Sequence, residues 1–348
     1  MSKTQNPANT KISDHKSGMG NAFFQKYTII LAWVILIVVF SILRPDTFAT
    51  WQNVTTILGS KAVLVVLALA IMVPLIAGDY DMSIASVMTF SSMLLAILNV
   101  WLGVPLGVAI VIAIGAGIGI GAVNGAIVTR FEIDPFIVTM GMATLMQGVT
   151  LGMSNSSTIT GIDEALKTAV YTGRLFGISY VFYYAVIACA ILFYFFQYTY
   201  PGRKVLMVGR GKNVAKLSGI KVNKVRLLCF MSSGGIAAFA GVLYAGMLGS
   251  ADPSSGLSYL MPAFAAVFLG STTILPGRFN PWGTLIAVYF LVTGTTGLSL
   301  MGIQTFVQDI FYGAALILAV LSSVLVKRAQ DKRELKMAEM KLAKEKES

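Results

Sequence analysis

The sequence predicts an all-α fold, a polytopic membrane helix bundle of about ten transmembrane helices with both termini cytoplasmic. Three observations carry that prediction. The 348 residues are 56% hydrophobic and only 12% charged, whereas a soluble domain carries roughly a quarter charged residues. The apolar residues gather in runs long enough to cross a bilayer, which takes about 20 residues per helix. The basic excess lies at the chain ends and in one loop, as it does in the cytoplasmic parts of a membrane protein.

The runs are 28–43, 61–77, 83–102, 104–128, 136–153, 178–198, 227–249, 258–275, 282–300 and 305–326. If every run crosses, ten spans result; if the shorter ones are half-helices, eight do. The N-terminal tail, 1–26, holds Lys3, Lys11, Lys16 and Lys26 against a single Asp14. Segment 199–226 holds Arg203, Lys204, Arg210, Lys212, Lys216, Lys221, Lys224 and Arg226 with no acid. The tail 327–348 is rich in Lys and Glu and reads as a solvated helix continuing the last span. All three are expected on the cytoplasmic side, which an even number of crossings allows. The polar stretch 154–177 then falls outside. No linker divides the transmembrane domain, 27–326.

The net charge of +11 is spread between apolar runs and does not form the stripe that nucleic acid requires. Cys189 and Cys229 fall at or within apolar runs, so no disulfide framework is expected. No small-residue cleavage site follows the first run, so no removable leader is expected.

Polar groups inside apolar runs carry the most information, because a charge at the bilayer centre costs about 2.5–3.5 kcal/mol even on lenient scales. The stretch Gly78-Asp79-Tyr80-Asp81-Met82-Ser83 joins two hydrophobic runs, the first of which contains Pro74. Two readings stand: a cytoplasmic turn with two solvated acids, or a buried break whose polar groups face protein or a water-filled cavity. In 115–125, glycines recur at i and i+4 as Gly115/Gly119, Gly117/Gly121 and Gly121/Gly125. Such spacing bares one helix face for close packing, and Asn124 is placed to bond across helices. Asp134 and Pro135 read as an N-cap and first helical residue. Within the basic segment, 211–220 reads as a short helix with Asn213 as N-cap and Gly219 as stop. Val214 and Leu217 share one face of it, Lys212 and Lys216 another. A helix of one or two turns is unstable alone, so this one is expected to dock on something.

These residues resemble a family, the permeases of the sugar ATP-binding-cassette importers of the ribose/xylose/arabinose/galactose branch. The likeness runs from about residue 50 to 325 and is best over 201–270. Gly209 through Ile220 resembles the loop that docks on the ATPase in that family. Gly78 through Ser83 resembles its Gly-Gly-Ile-Asp-Leu-Ser motif, with Asp81 and Ser83 in register. Asn124-Gly125, Pro135 through Thr139, Ala265-Ala266-Val267 with Gly270, and Gly277-Arg278 with Gly283-Thr284 match further motifs. Asp79 and Ala85 stand where the family has Gly, and Ser271, Pro276, Phe279 and Trp282 alter the late Gly-rich stretch.

The resemblance implies a permease subunit, not an enzyme, in the bacterial cytoplasmic membrane. It implies a second permease subunit (a copy or a homologue), a cytoplasmic ATPase and a periplasmic or lipid-anchored sugar-binding protein. No cofactor is expected on this chain, since ATP binds the partner; no G-x-x-x-x-G-K-[ST] phosphate loop occurs in it. ATPase coupling is expected of Gly211, Lys212, Asn213, Val214, Ala215, Lys216, Leu217, Ser218 and Gly219. Asp79, Asp81, Ser83, Asn124, Phe136 and Thr139 are expected to line or brace the translocation path. The alternative is an ion-coupled secondary carrier or channel, for which Asp79 and Asp81 would have to serve as the ionisable relay. The single histidine, His15, lies in a tail, away from any set of catalytic groups.

Overall fold

A computed structural model describes residues 13–325, with side chains from residue 27 onward; the charged helix expected over 327–348 lies outside the described residues. The chain is helical nearly throughout. Helix α1 covers Ser13–Leu43, α2 Trp51–Ser60, α3 Ala62–Ile76, and α4 Ile84–Ala96 with a wider turn continuing over Ile97–Trp101. Then come α5 (Leu106–Arg130), α6 (Pro135–Met153), the short α7 (Glu164–Lys167), α8 (Tyr180–Tyr198), α9 (Tyr200–Arg210) and α10 (Lys212–Leu217). Helices α11 (Val222–Leu248), α12 (Leu257–Gly270), α13 (Pro281–Leu300) and α14 (Thr305–Leu325) complete the bundle.

Eight of the described helical stretches are long and apolar enough to span a membrane, and two shorter ones, Tyr27–Leu43 and Leu257–Gly270, bring the set to the ten expected runs. The protein is a multi-pass membrane bundle. Two boundaries differ from the sequence reading. The run expected over 61–77 is the second part of a 26-residue stretch, Trp51–Ile76. Its first part was obscured by Gln52, Asn53, Thr55 and Thr56, and starts where Thr50 Oγ1 accepts from the Asn53 N–H at 3.2 Å. The run expected over 258–275 stops at Gly270. There Pro276 and Gly277 break the helical pattern, and α13 restarts after Asn280, whose Oδ1 accepts from the Gly283 N–H at 2.7 Å.

Helix α3 is the axis of the bundle. Every residue from Ala62 to Ile76 is buried, as befits a helix that is apolar on all sides, and α11, α12, α8 and α13 pack around it. Helices α5, α6, α8 and α14 keep most of their apolar side chains on the outside of the bundle. At one end of the bundle, 154–179 folds into small elements: β1 (Ile159–Thr160) pairs with β4 (Ser250–Ala251), and β2 (Arg174–Leu175) pairs with β3 (Ile178–Ser179).

The tightest helix pair is α5 against α11, and glycine spacing makes it. A Cβ on Gly121 would overlap the Phe230 carbonyl, one on Gly117 would strike Ala238 and Gly234, and one on Gly125 would lie 2.8 Å from Leu227 Cδ1. Gly234 answers from α11, its own Cβ position filled by the Gly117 carbonyl. Gly115 and Gly119 belong to the opposite face and meet nothing within 4 Å. The i, i+4 repeat is thus a packing device on one face only. Substituting Gly121 by Val should force backbone apart, so the detergent-purified protein should lose at least the ~1–3 kcal/mol typical of overpacking. Gly119→Val should leave the melting profile and gel-filtration peak of the wild type; equal damage from both variants would contradict this packing.

Candidate functional site

The break between α3 and α4 gathers the polar side chains. Gly78 has φ +80°, a left-handed conformation that favours glycine, and it turns the chain out of α3. From Asp79 to Ser83 the chain has no regular structure, and burial alternates from one residue to the next. Asp79, Asp81 and Ser83 are each 1% exposed, whereas Tyr80 between them is 45% exposed. One edge of the break therefore faces the bundle and the other faces outward.

The inward side chains are held from α5, α10 and α11. Asp79 Oδ2 accepts from Arg226 Nε at 2.6 Å and Oδ1 from Arg226 Nη2 at 2.9 Å, the paired geometry a guanidinium offers a carboxylate. Lys212 Nζ, from α10, donates to the same Oδ1 at 2.8 Å. Asp81 Oδ1 accepts from the Ser83 N–H at 3.0 Å and from Ser83 Oγ at 2.6 Å, while Ser233 Oγ donates to Oδ2 at 2.9 Å. Ser83 Oγ in turn accepts from Asn124 Nδ2 of α5 at 2.9 Å. The Met82 N–H donates to Thr139 Oγ1 of α6 at 3.0 Å, and that hydroxyl donates back to the Pro135 carbonyl at 2.8 Å. A stretch with no backbone ladder of its own is thus fastened to α5, α6, α10 and α11. Asn124 Oδ1 is buried without a partner among the described residues.

The reading of the break as a turn with two solvated acids is overturned, because both carboxylates are buried and bonded to protein. Of the six residues expected along the path, Asp79, Asp81, Ser83, Asn124 and Thr139 come together in this network. Phe136 does not. It is 43% exposed and faces an open groove of about 660 Å³ that Tyr80 and Met82 also line from the outer edge of the break. The groove's other walls include Met261, Phe264 and Phe268 of α12. Asp134 caps α6 as expected, its Oδ1 accepting from the Phe136 N–H at 2.8 Å.

Two members of the network escaped the sequence reading. In the sequence Arg226 reads as one of the cations of segment 199–226, and Ser233 as an ordinary small residue of an apolar run. Their signal was present: they lie seven residues apart on α11, two turns and one face, which lets the pair meet two carboxylates spaced by two along the break.

The basic segment lies across the same end of the bundle. Helix α9, not anticipated from the sequence, begins at Thr199, whose Oγ1 accepts from the Gly202 N–H at 3.2 Å. Gly209 sits so close to α3 that a Cβ would overlap the Ile76 carbonyl. Helix α10 follows directly, with Gly211 at its N-cap position and without a side-chain cap, so Asn213 lies inside the helix and is not its cap. Gly219, φ +79°, ends it as expected. Ala215 is buried and Lys212 reaches inward to Asp79, but Val214 is 67% exposed and Leu217 90% exposed. Lys216 and Ser218 are also exposed. The apolar face of α10 has no partner within the described residues of this chain.

Residues 53–320 match the family described as branched-chain amino acid transport system / permease component. The chain belongs to that permease family. The permease is 34% identical over 298 residues to the ribose import permease protein RbsC of Bacillus subtilis, covering 85% of this chain and 92% of that one. It is 27% identical over 306 residues to the D-allose transport system permease protein AlsC of Escherichia coli, covering 88% and 94%. With the L-arabinose ABC transporter permease protein AraH of Azospirillum brasilense it shares 28% over 298 residues, covering 84% and 86%. These relatives place the permease among the sugar ABC permeases, as the sequence motifs implied. No solved structure matches it.

Asp81 accepts three hydrogen bonds inside the bundle, so Asp81→Ala should strand buried donors at a cost of about 1–3 kcal/mol. Asp81→Asn keeps one acceptor oxygen for Ser83 and sets its amide against Ser233 Oγ, which can turn to accept. Thermal unfolding in detergent should show a clear drop for Ala and a small one for Asn. Indistinguishable wild-type curves for both would remove the bracing role of Asp81.

Proposed function

We propose that this chain is the transmembrane subunit of an ATP-binding-cassette importer for a sugar or sugar-like solute, with energy supplied by a separate cytoplasmic ATPase and solute delivered by a binding protein. The observation that carries the reading is the bare Val214–Leu217 face of α10, projecting from the end of the bundle that holds the basic segment. An apolar pair so exposed fits a groove on another protein. Its flanking lysines match the positive-inside bias of a cytoplasmic surface. The relatives named for ribose, allose and arabinose support a sugar as cargo.

In this reading the chain sits in the bacterial cytoplasmic membrane with the α9–α10 end inside. The solute passes along the groove lined by Tyr80, Met82, Phe136 and Phe264, which a second permease subunit closes. Asp79, Asp81, Ser83, Asn124 and Thr139 stand behind that wall and fix its shape. An apolar wall gives a polar solute only weak contacts, as transit requires. The chain itself carries no cofactor, ATP being bound by the partner. Against the secondary-carrier alternative, the Asp79 carboxylate is engaged by two cations and the Asp81 carboxylate by Ser83 and Ser233.

The test is Leu217→Asp. The variant should insert and elute like the wild type, yet lose the ATPase subunit in a mild-detergent pull-down. It should also lose ATP-dependent uptake of radiolabelled D-ribose, D-allose and L-arabinose, tried in turn. Normal uptake by the variant would overturn the docking role. Uptake by the purified chain alone, without ATP, would hand the function to the carrier reading.

A further inference from the structure

The ion pairs at Asp79 are unequal, and the inequality points to a working part. Arg226 makes two bonds to the carboxylate with its side chain only 11% exposed, whereas Lys212 makes one bond with its side chain 41% exposed. A buried paired guanidinium is strongly held, since separating it leaves an uncompensated charge in the interior. A half-exposed ammonium is hydrated and screened, and its pairing is marginal. Arg226 thus keeps the Asp79 charge paired with α11, and the Lys212 bond is the one that can open and re-form.

What Lys212 grips is also what shapes the groove. Asp79 and Tyr80 are consecutive residues of the break, and the side chain of one is buried while that of the other lines the groove. Gly78, with φ +80° and nothing closer than 3.9 Å to the position of a Cβ, provides a pivot just before them. The nearest atom to that position is Lys212 Cε. The side chain from α10 therefore lies over the pivot and bonds the residue after it.

We propose that Lys212 is a positioning residue for transport, a breakable strut through which displacement of α10 is delivered to Asp79 and so to the Tyr80–Met82 wall of the groove. This rests on the reading that α10 docks on an ATPase, and it names the contact by which that docking reaches the solute path. The bond need only differ between two positions of α10 to bias the two states of the wall.

The experiment uses the permease with its co-purified ATPase and binding protein in proteoliposomes, with the same three labelled sugars as probes. Lys212→Met keeps the alkyl stem and removes the charge. The variant should retain the ATPase subunit, while sugar moved per ATP hydrolysed falls about five-fold or more, the low end of an ordinary coupling between sites. Lys212→Arg should restore most of that ratio. Asp79→Asn should lower it, and adding Lys212→Met to Asp79→Asn should lower it no further. A wild-type ratio in Lys212→Met, or additive losses in the double variant, overturns the strut. If Leu217→Asp abolishes transport while Lys212→Met does not alter the ratio, the docking reading stands and the strut alone fails. If the wild-type complex moves none of the sugars with ATP, both fall.

Discussion

A carboxylate buried at the end of a helix bundle sets the terms for everything around it. Asp79 is 1% exposed, and an ionised group in that position is tolerated only when paired and fully hydrogen-bonded. Its partners come from 133 and 147 residues further along the chain. The break, the basic segment and the start of α11 must therefore converge on one spot. The α3–α4 break is thereby tied to α11 through Arg226 and to α10 through Lys212.

The rest of the bundle makes room for that convergence by bringing backbones together. Glycine faces let α11 lie against α5, and Gly209 lets α9 rest on the end of α3. In a bilayer, helices gain little from excluding water and rely on close packing and interhelical hydrogen bonds. The two devices meet on α11. Its Gly234 packs into α5 while Arg226 and Ser233 reach the break. A single helix thus reports the spacing of the bundle to the polar network.

Much of this was legible in the sequence, for identifiable reasons. Hydropathy alone placed the ten apolar runs, and glycine periodicity marked the packing face of α5 at Gly117, Gly121 and Gly125 but equally the Gly115/Gly119 face, which meets nothing. Asp134-Pro135 announced the start of α6 because capping is a local matter of two or three residues. The pairing of Asp79 was not legible, since it depends on cations that ordinary loop composition would supply anyway. Arg226 and Lys212 look no different from Lys221 or Lys224 until the helices are assembled. Which edge of 78–83 faces inward was likewise open, because alternation says that successive side chains part ways without saying which side is the core. The first turns of the second span were missed because Gln52, Asn53 and Thr56 dilute an amphipathic helix below the level at which hydropathy registers it.

An apolar face carried at 67% and 90% exposure is also a liability in a crowded cell. Surfaces of that kind are what chaperones hold and proteases sample, and small differences in how long they stay bare translate into abundance. A chain synthesised faster than whatever covers Val214 and Leu217 would present that short helix as a mark of incompleteness.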